Sequence, residues 1–332
     1  MWQGVVMCIQ LARVFCRLGG AAVVFGGPQE RKRMRVGFTL VELLVVVGII
    51  GVLMSLLLPA MIKVRQHANT VLCANNLRTL GQGWQLYVNA NQGTIVPGRL
   101  PTAGAPGGVF DIGRDREYRP RWYELLGEQV RQFANEHPGA QQDDKWLISN
   151  SLFLCPAVAE YNNSRNYPYG YNYQFLGNAR PKPGGGWINY PVKVSTINAA
   201  RTVMATDSLG TAAGKPTADR THYYGDGSHD PYAQLNKGWC IDPPRLKSDS
   251  DYADPEHRNP EDRAGPDARH QSKSNVLFCD GHVELMLPQE IGYVVRPDGS
   301  MAIKGPGTSN AWFSGSGNDA DPPSIYAKPS KD

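Results

Sequence analysis

Gly37-Phe38-Thr39-Leu40-Val41-Glu42-Leu43-Leu44-Val45-Val46-Val47-Gly48-Ile49-Ile50-Gly51-Val52-Leu53-Met54-Ser55-Leu56-Leu57-Leu58-Pro59-Ala60 is the stretch on which the fold turns. From Phe38 to Met61 the chain is apolar apart from Thr39, Ser55 and a single ionisable residue, Glu42. A bilayer core takes about 20 helical residues to cross, so residues 38–60 predict a transmembrane helix. Arg31, Lys32, Arg33 and Arg35 stand just before it, and Lys/Arg beside a span marks the cytoplasmic side. The expected arrangement is a single pass through the cytoplasmic (inner) membrane, with the N-terminus cytoplasmic and the chain after Ala60 in the periplasm or outside.

A carboxylate within hydrocarbon costs about 2.5 kcal/mol or more and needs a partner. The apolar segment around Glu42 supplies no cation, so the partner is expected from another chain or from a new amino terminus made by cleavage. Here the residues resemble the prepilin cleavage and methylation signal of type IV pilins and type II secretion pseudopilins: basic leader, Gly37, Phe38, Thr-Leu-Val-Glu42, then the apolar helix. That resemblance implies a cut after Gly37 by prepilin peptidase, N-methylation of Phe38, and Glu42 meeting the amino terminus of a neighbouring subunit. Pro59 stands where such proteins carry a helix-bending proline. An uncleaved signal anchor is the plain alternative; a secretory signal would have to be cut after the apolar core, where Leu58-Pro59-Ala60 is a poor site.

Net charge is +4, but residues 1–37 hold six Lys/Arg against Glu30 alone, which leaves 28 basic and 29 acidic residues beyond the cut. A near-neutral exported chain argues against a nucleic-acid partner. Residues 1–37 read as a leader. Residues 1–30 form an odd extension for such a leader, and Met7 or Met34 stands as an alternative start.

Beyond the anchor, Cys73, Leu77, Leu80, Trp84 and Tyr87 recur at helical spacing, so residues 61–92 predict an amphipathic helix that continues the anchor and buries this stripe. Gly/Pro-rich residues 91–120 then predict a long surface loop. Residues 121–135 predict a short helix. Strand-like runs at 146–154, 169–175, 192–197, 202–206, 275–279, 282–287 and 293–295 predict an antiparallel sheet. Asp280-Gly281 reads as a two-residue type I′ hairpin, and Pro297-Asp298-Gly299 as a second turn. Residues 93–304 are thus expected to form an α+β head, with a Gly/Asp-rich insertion at 208–272 and a frayed, flexible tail at 305–332. The fold class is pilin-like α+β, a long N-terminal helix packed on an antiparallel sheet.

Cys73-Ala-Asn75-Asn76-Leu77-Arg-Thr-Leu80-Gly81, Phe153-Leu-Cys155-Pro156, Tyr169-Gly-Tyr-Asn172, Met204-Ala-Thr-Asp207-Ser208 and His270 followed after nine residues by Asp280-Gly281 together resemble the H-x9-DG family of prepilin-type proteins, domain-of-unknown-function family 1559. The resemblance implies topology and assembly class rather than a task.

No Gly-x-Ser-x-Gly elbow, His-Glu-x-x-His or Walker loop occurs, so the chain is not expected to be an enzyme. Oxygen and imidazole donors at Asp207, His222, Asp249, Asp251 and Asp254, with Asp226, His229 and Asp230 nearby, are candidates for a metal, calcium among them by analogy with pseudopilin heads. The segment 249–254 lacks the EF-hand glycine and terminal Glu, and no cofactor is otherwise expected. Cys73, Cys155, Cys240 and Cys279 permit disulfides in an oxidising compartment, or are small buried hydrophobes. His270 is expected to donate to the Asp280 carboxylate; a metal shared by the two, with His282 or Asp207, is the sharper alternative.

The function expected is a membrane-anchored, pseudopilin-like subunit that assembles with itself or other pilin-like subunits into a pilus- or secretion-type filament. Its partners would be prepilin peptidase, those subunits and membrane lipid. A monomeric anchored binding module is the alternative.

Overall fold

The computed structural model describes residues 39–99, 121–134, 147–158, 166–181, 187–222, 230, 232–246, 263–302 and 305–323. Residues 1–57 and 58–332 form separate compact units.

Helix α1, Leu40–Ala90, runs through Pro59. Its first part is apolar on every side, and its large side chains from Leu40 to Val64 are exposed. From Thr70 onward one face is buried, comprising Thr70, Cys73, Leu77, Leu80, Gly81, Gly83, Trp84, Tyr87 and Val88. Each member of the stripe read from the spacing lies in the core. Trp84 donates its indole N–H to the Tyr171 hydroxyl at 3.1 Å, and that hydroxyl donates to Val96 O at 2.7 Å. The polar tips of two buried aromatics are thereby satisfied.

Helix α2, Trp122–Val130, is the short helix expected from its apolar spacing. Trp122 stacks on Tyr171 with centroids 5.1 Å apart and donates to Trp239 O at 2.7 Å.

The strands are β1 Tyr169–Tyr171, β2 Asn178–Pro181, β3 Trp187–Tyr190, β4 Val203–Gly210, β5 Gly265–Pro266, β6 Ser274–Phe278 and β7 Val283–Met286. The main sheet has the order β1-β4-β6-β7, with β5 on β4, and its pairs are antiparallel. Strand β4 is buried along its whole length, as a central strand covered on both faces must be.

Several expectations are corrected. The runs at 146–154 and 192–197 are not strands; they contain the 3₁₀ turns Ser151–Phe153 and Val194–Thr196. Residues 293–295 make only an isolated bridge, Val295 to Met301. The paired strands β2 and β3 were not anticipated, although Trp187-Ile188-Asn189-Tyr190 after the Gly-rich 184–186 carries strand-forming residues.

The described parts of 208–272 are packed: Leu209, Ala212, Ala213, Leu235, Trp239, Cys240, Ile241 and Ala264 are all buried. The tail is likewise anchored through residue 323. Phe313 is buried, Arg245 pairs with Asp319 and Asp321 at 2.8 Å, and Asn172 Nδ2 donates to both Val203 O and Phe313 O. Low apolar content concealed both segments, since backbone and side-chain hydrogen bonds carry much of their packing.

The Asp280-Gly281 hairpin forms, but with a different turn. Only Gly281 has positive φ, +94°, and its N–H donates to Phe278 O at 2.9 Å. This is the three-residue pattern of a type I turn ending in a left-handed residue. Its tip lies against α1, where Gln85 Nε2 donates to Asp280 O at 2.6 Å.

Candidate functional site

Four side chains meet inside the head: Cys73 from α1, Cys155 from the segment after the 151–153 turn, Asp207 from the middle of β4, and His270 from the strap before β6. Their Sγ, Oδ and ring-nitrogen atoms lie within 4.8 Å of one another, and all four residues are buried. Each is held by local structure. The α1 stripe aims Cys73 inward. Asn76, one helical turn on, donates to Ser151 O and Leu154 O, both at 2.9 Å, and so clamps the turn that delivers Cys155. Asp207 Oδ2 accepts the Asn275 N–H at 2.6 Å, which fixes its rotamer against β6.

His270 sits at the foot of a tight turn. His270 and Lys273 exchange backbone hydrogen bonds, and the residues between them, Gln271 and Ser272, have φ of 56° and 66°. Two consecutive positive φ values are the I′ pattern expected at Asp280-Gly281, here built from non-glycine residues at a cost on the order of 1 kcal/mol each.

The proton on His270 follows from its partners. Thr70 Oγ1 donates to Gln66 O at 2.9 Å, so it can only accept from His270 Nδ1, 3.2 Å away. Nδ1 therefore carries a hydrogen, and Nε2 faces both Cys155 Sγ and Asp207 Oδ2 at 3.5 Å. Cys73 Sγ lies 3.1 Å from Asp207 Oδ1.

The electrostatics are crowded. Burial pushes the Cys73 thiol well up. The hydrogen bond from Cys73, helped by Arg269 and His270, outweighs burial at Cys155 and lowers it to about 6. For His270, burial works downward, but Asp207 and Cys155 raise it to about 9. Burial also opposes ionisation of Asp207, yet Arg269 and His270 hold it below the usual range. Arg269 Nε lies 3.1 Å from Asp267 and 3.8 Å from Asp207. Thr70 and Arg269 were not singled out from the sequence. Thr70, three residues before Cys73, was legible only as part of the buried stripe.

A Cys-His-Asp relay does not fit this arrangement. A carboxylate that orients a catalytic imidazole binds the ring nitrogen remote from the nucleophile. Here carboxylate and thiol share Nε2, and the far nitrogen belongs to Thr70.

The expected His270–Asp280 contact is not made. Asp280 instead bonds His282, through its backbone N–H and its Nδ1, and the His282 ring stacks on Phe278 at 4.2 Å. The β6–β7 pairing turns the hairpin tip toward Gln85, while His270 is drawn under α1 beside Thr70. Cys73, Cys155, Cys240 and Cys279 are all buried, and Cys240 Sγ donates to Lys237 O at 3.3 Å. Cys240 and Cys279 stand outside the cluster. His222 is exposed. Asp230 accepts from Thr221 Oγ1 and the Tyr232 N–H, as a turn carboxylate does. Asp226, His229, Asp249, Asp251 and Asp254 lie outside the described residues, as do Gly37 and Phe38.

At the start of α1, Thr39 is the helix cap. Glu42 Oε2 accepts from the Thr39 N–H at 2.9 Å and from Thr39 Oγ1 at 2.8 Å, while Thr39 Oγ1 accepts the Glu42 N–H at 3.3 Å. This is a reciprocal capping box, so Glu42 has a partner within its own chain. Among the described residues α1 is the helix long and apolar enough to cross a membrane, and none of its most apolar window is buried.

Residues 33–58 match the prokaryotic N-terminal methylation motif. No curated protein and no solved structure matches the chain. The methylation motif implies a pilin-like protein processed by prepilin peptidase. With the long apolar helix and the five-stranded sheet, it fits a single-pass, membrane-anchored α+β protein of pilin-like fold. The motif suggests a structural, pilin-like subunit.

Proposed function

We propose that the chain is a filament-forming, pseudopilin-like subunit, cleaved between Gly37 and Phe38, N-methylated on Phe38, and assembled through α1 with copies of itself or other pilin-like subunits. The observation that carries this reading is the match of residues 33–58 to the methylation motif, a span that includes Gly37-Phe38 and most of the apolar run that follows. The wholly exposed apolar surface of that helix supports it, since such a surface needs lipid or another helix. The resemblance to the H-x9-DG family supports the same class. The head then stands outside the cytoplasmic membrane, and the Glu42 carboxylate takes the methylated amino terminus of a neighbour.

Terminal sequencing of membrane-extracted protein is expected to start at methylated Phe38; a start before Gly37 or after Ala60 overturns the processing step. Assembly is tested by a pair of substitutions, because Glu42 also caps the helix. Glu42→Gln keeps the capping box and removes the charge, whereas Glu42→Ala removes both. If assembly needs the charge, both variants insert normally and both lose cross-linked oligomers in membranes.

A second reading, a monomeric anchored binding module, is favoured by the capping box itself, which gives Glu42 a use in a lone chain. That reading predicts undiminished cross-linking of Glu42→Gln.

A further inference from the structure

We propose that Cys73, Cys155, Asp207 and His270 form a closed, four-ligand site for a divalent ion of the zinc class, which ties α1, the 151–155 turn, β4 and the strap before β6 into one head. The proposal concerns the head and does not depend on filament assembly.

The donor set is the first argument. Two thiolates, one imidazole and one carboxylate suit zinc and cobalt, and do not suit calcium or magnesium, which take oxygen ligands. Spacing is the second. With Zn–S near 2.3 Å and Zn–N or Zn–O near 2.0 to 2.2 Å, the edges of a tetrahedral site run from roughly 3.3 to 3.8 Å. Two separations fall in that range, 3.5 Å from Cys155 Sγ to His270 Nε2 and 3.5 Å from His270 Nε2 to Asp207 Oδ2, while Cys73 Sγ donates to the other carboxylate oxygen, Oδ1, at 3.1 Å and would give up that proton to bind an ion. All four donors converge on one small volume.

The surrounding shell is the third argument. Metal-bound histidines donate their remaining ring N–H to an outer partner, which fixes the tautomer. Thr70, its own hydrogen spent on Gln66 O, takes the Nδ1–H, so Nε2, 3.5 Å from both Cys155 Sγ and Asp207 Oδ2, is the nitrogen that would exchange its proton for an ion. The Asn275 N–H holds Asp207, and Asn76 holds the turn that carries Cys155. Charge is the fourth. Three anionic ligands exceed a dication by one, and Arg269, shared with Asp267, lies 3.8 Å from the Asp207 carboxylate.

A cleft of about 270 Å³ between α1 and the strained 271–272 turn, lined by Gln66, Asn69, Ala157 and Gln271, has His270 in its wall. With four protein ligands and no open position, the ion holds structure rather than performing chemistry.

The test uses the full chain, purified in detergent under reducing conditions and loaded with zinc or cobalt alone. One equivalent per chain is expected, and the cobalt form should show thiolate-to-cobalt charge transfer and the intense visible bands of a tetrahedral site. Cys155→Ser and His270→Ala should fall from one equivalent to near none, and Thr70→Val should bind about 10- to 100-fold more weakly. Cys240→Ser and Cys279→Ser should keep one equivalent. The cobalt spectrum of the unsubstituted chain reads the site even if a ligand variant fails to fold. No binding by the reduced chain, a cobalt spectrum without thiolate bands, or a Cys73–Cys155 disulfide in protein taken directly from the membrane would overturn the proposal.

Discussion

Gly281 shows how a single residue can be demanded twice. Its φ of +94° lies where side chains are strained, and a Cβ there would meet Gln85 Nε2 at 2.9 Å, the group that bonds Asp280 O. Gly281→Val should therefore lower stability by roughly 1 to 3 kcal/mol, and Gly281→Asn by less, because Asn tolerates the left-handed region. Denaturant titration of the two variants checks the order; equal losses would mean that contact with Gln85 outweighs the backbone. Asp319 offers a residue-scale pH test. Hydrogen bonds from Arg245 and from the Asn310 N–H hold its carboxyl below the usual range. A depressed carboxyl contributes stability above its unfolded pKa and loses it as pH falls through the folded value. Amides of 309–321 should stay protected from exchange at neutral pH, open only below the ordinary carboxylate range, and open at neutral pH in Arg245→Ala.

Among elements, α1 carries two different surfaces on one helix. Its N-terminal part is apolar all round and exposed, while the part after Thr70 is a one-sided stripe locked into the head. Trp84 lies at the centre of that stripe, buried and bonded to Tyr171. Trp84→Ala should cost about 3 to 5 kcal/mol, whereas Leu56→Ala, in the exposed apolar part, should leave the thermal melt of the head unchanged. The spacing of 73, 77, 80, 84 and 87 was enough to read this stripe, because helical periodicity is a local property of the chain. The main strands were legible too: the runs at 169–175, 202–206, 275–279 and 282–287 hold β1, β4, β6 and β7, although β4 continues to Gly210. The 146–154 run has strand-like residues but closes as a 3₁₀ turn, held by Asn150 accepting from the Leu152 N–H.

At the scale of the molecule, the proposed ion site makes head stability depend on free metal. A ligand at 100 times its dissociation constant adds about 2.7 kcal/mol, so chelation with EDTA should lower the melting temperature of the detergent-solubilised chain by about 5 to 10 °C. His270→Ala should melt near the chelated value and not respond to EDTA. An equal EDTA response in His270→Ala would separate the chelator effect from this cluster.

What the sequence by itself determined is local: the methylation-type signal over residues 33–58, an apolar run of membrane length, and the amphipathic stripe that follows. Each is written in neighbours along one helix, where spacing alone dictates geometry. It also marked Cys73, Cys155, Asp207 and His270, but in four separate motifs, and it paired His270 with the wrong carboxylate. Only the tertiary structure decided that pairing. Cys73 and Asp207 are 134 residues apart, and Cys155 and His270 are 115 apart. Such contacts arise from the order β1-β4-β6-β7 and from α1 packed across it, which bring Asp207 and His270 beneath Thr70 and send Asp280 to the opposite end of β6. No periodicity encodes that meeting, because it depends on which distant strands become neighbours.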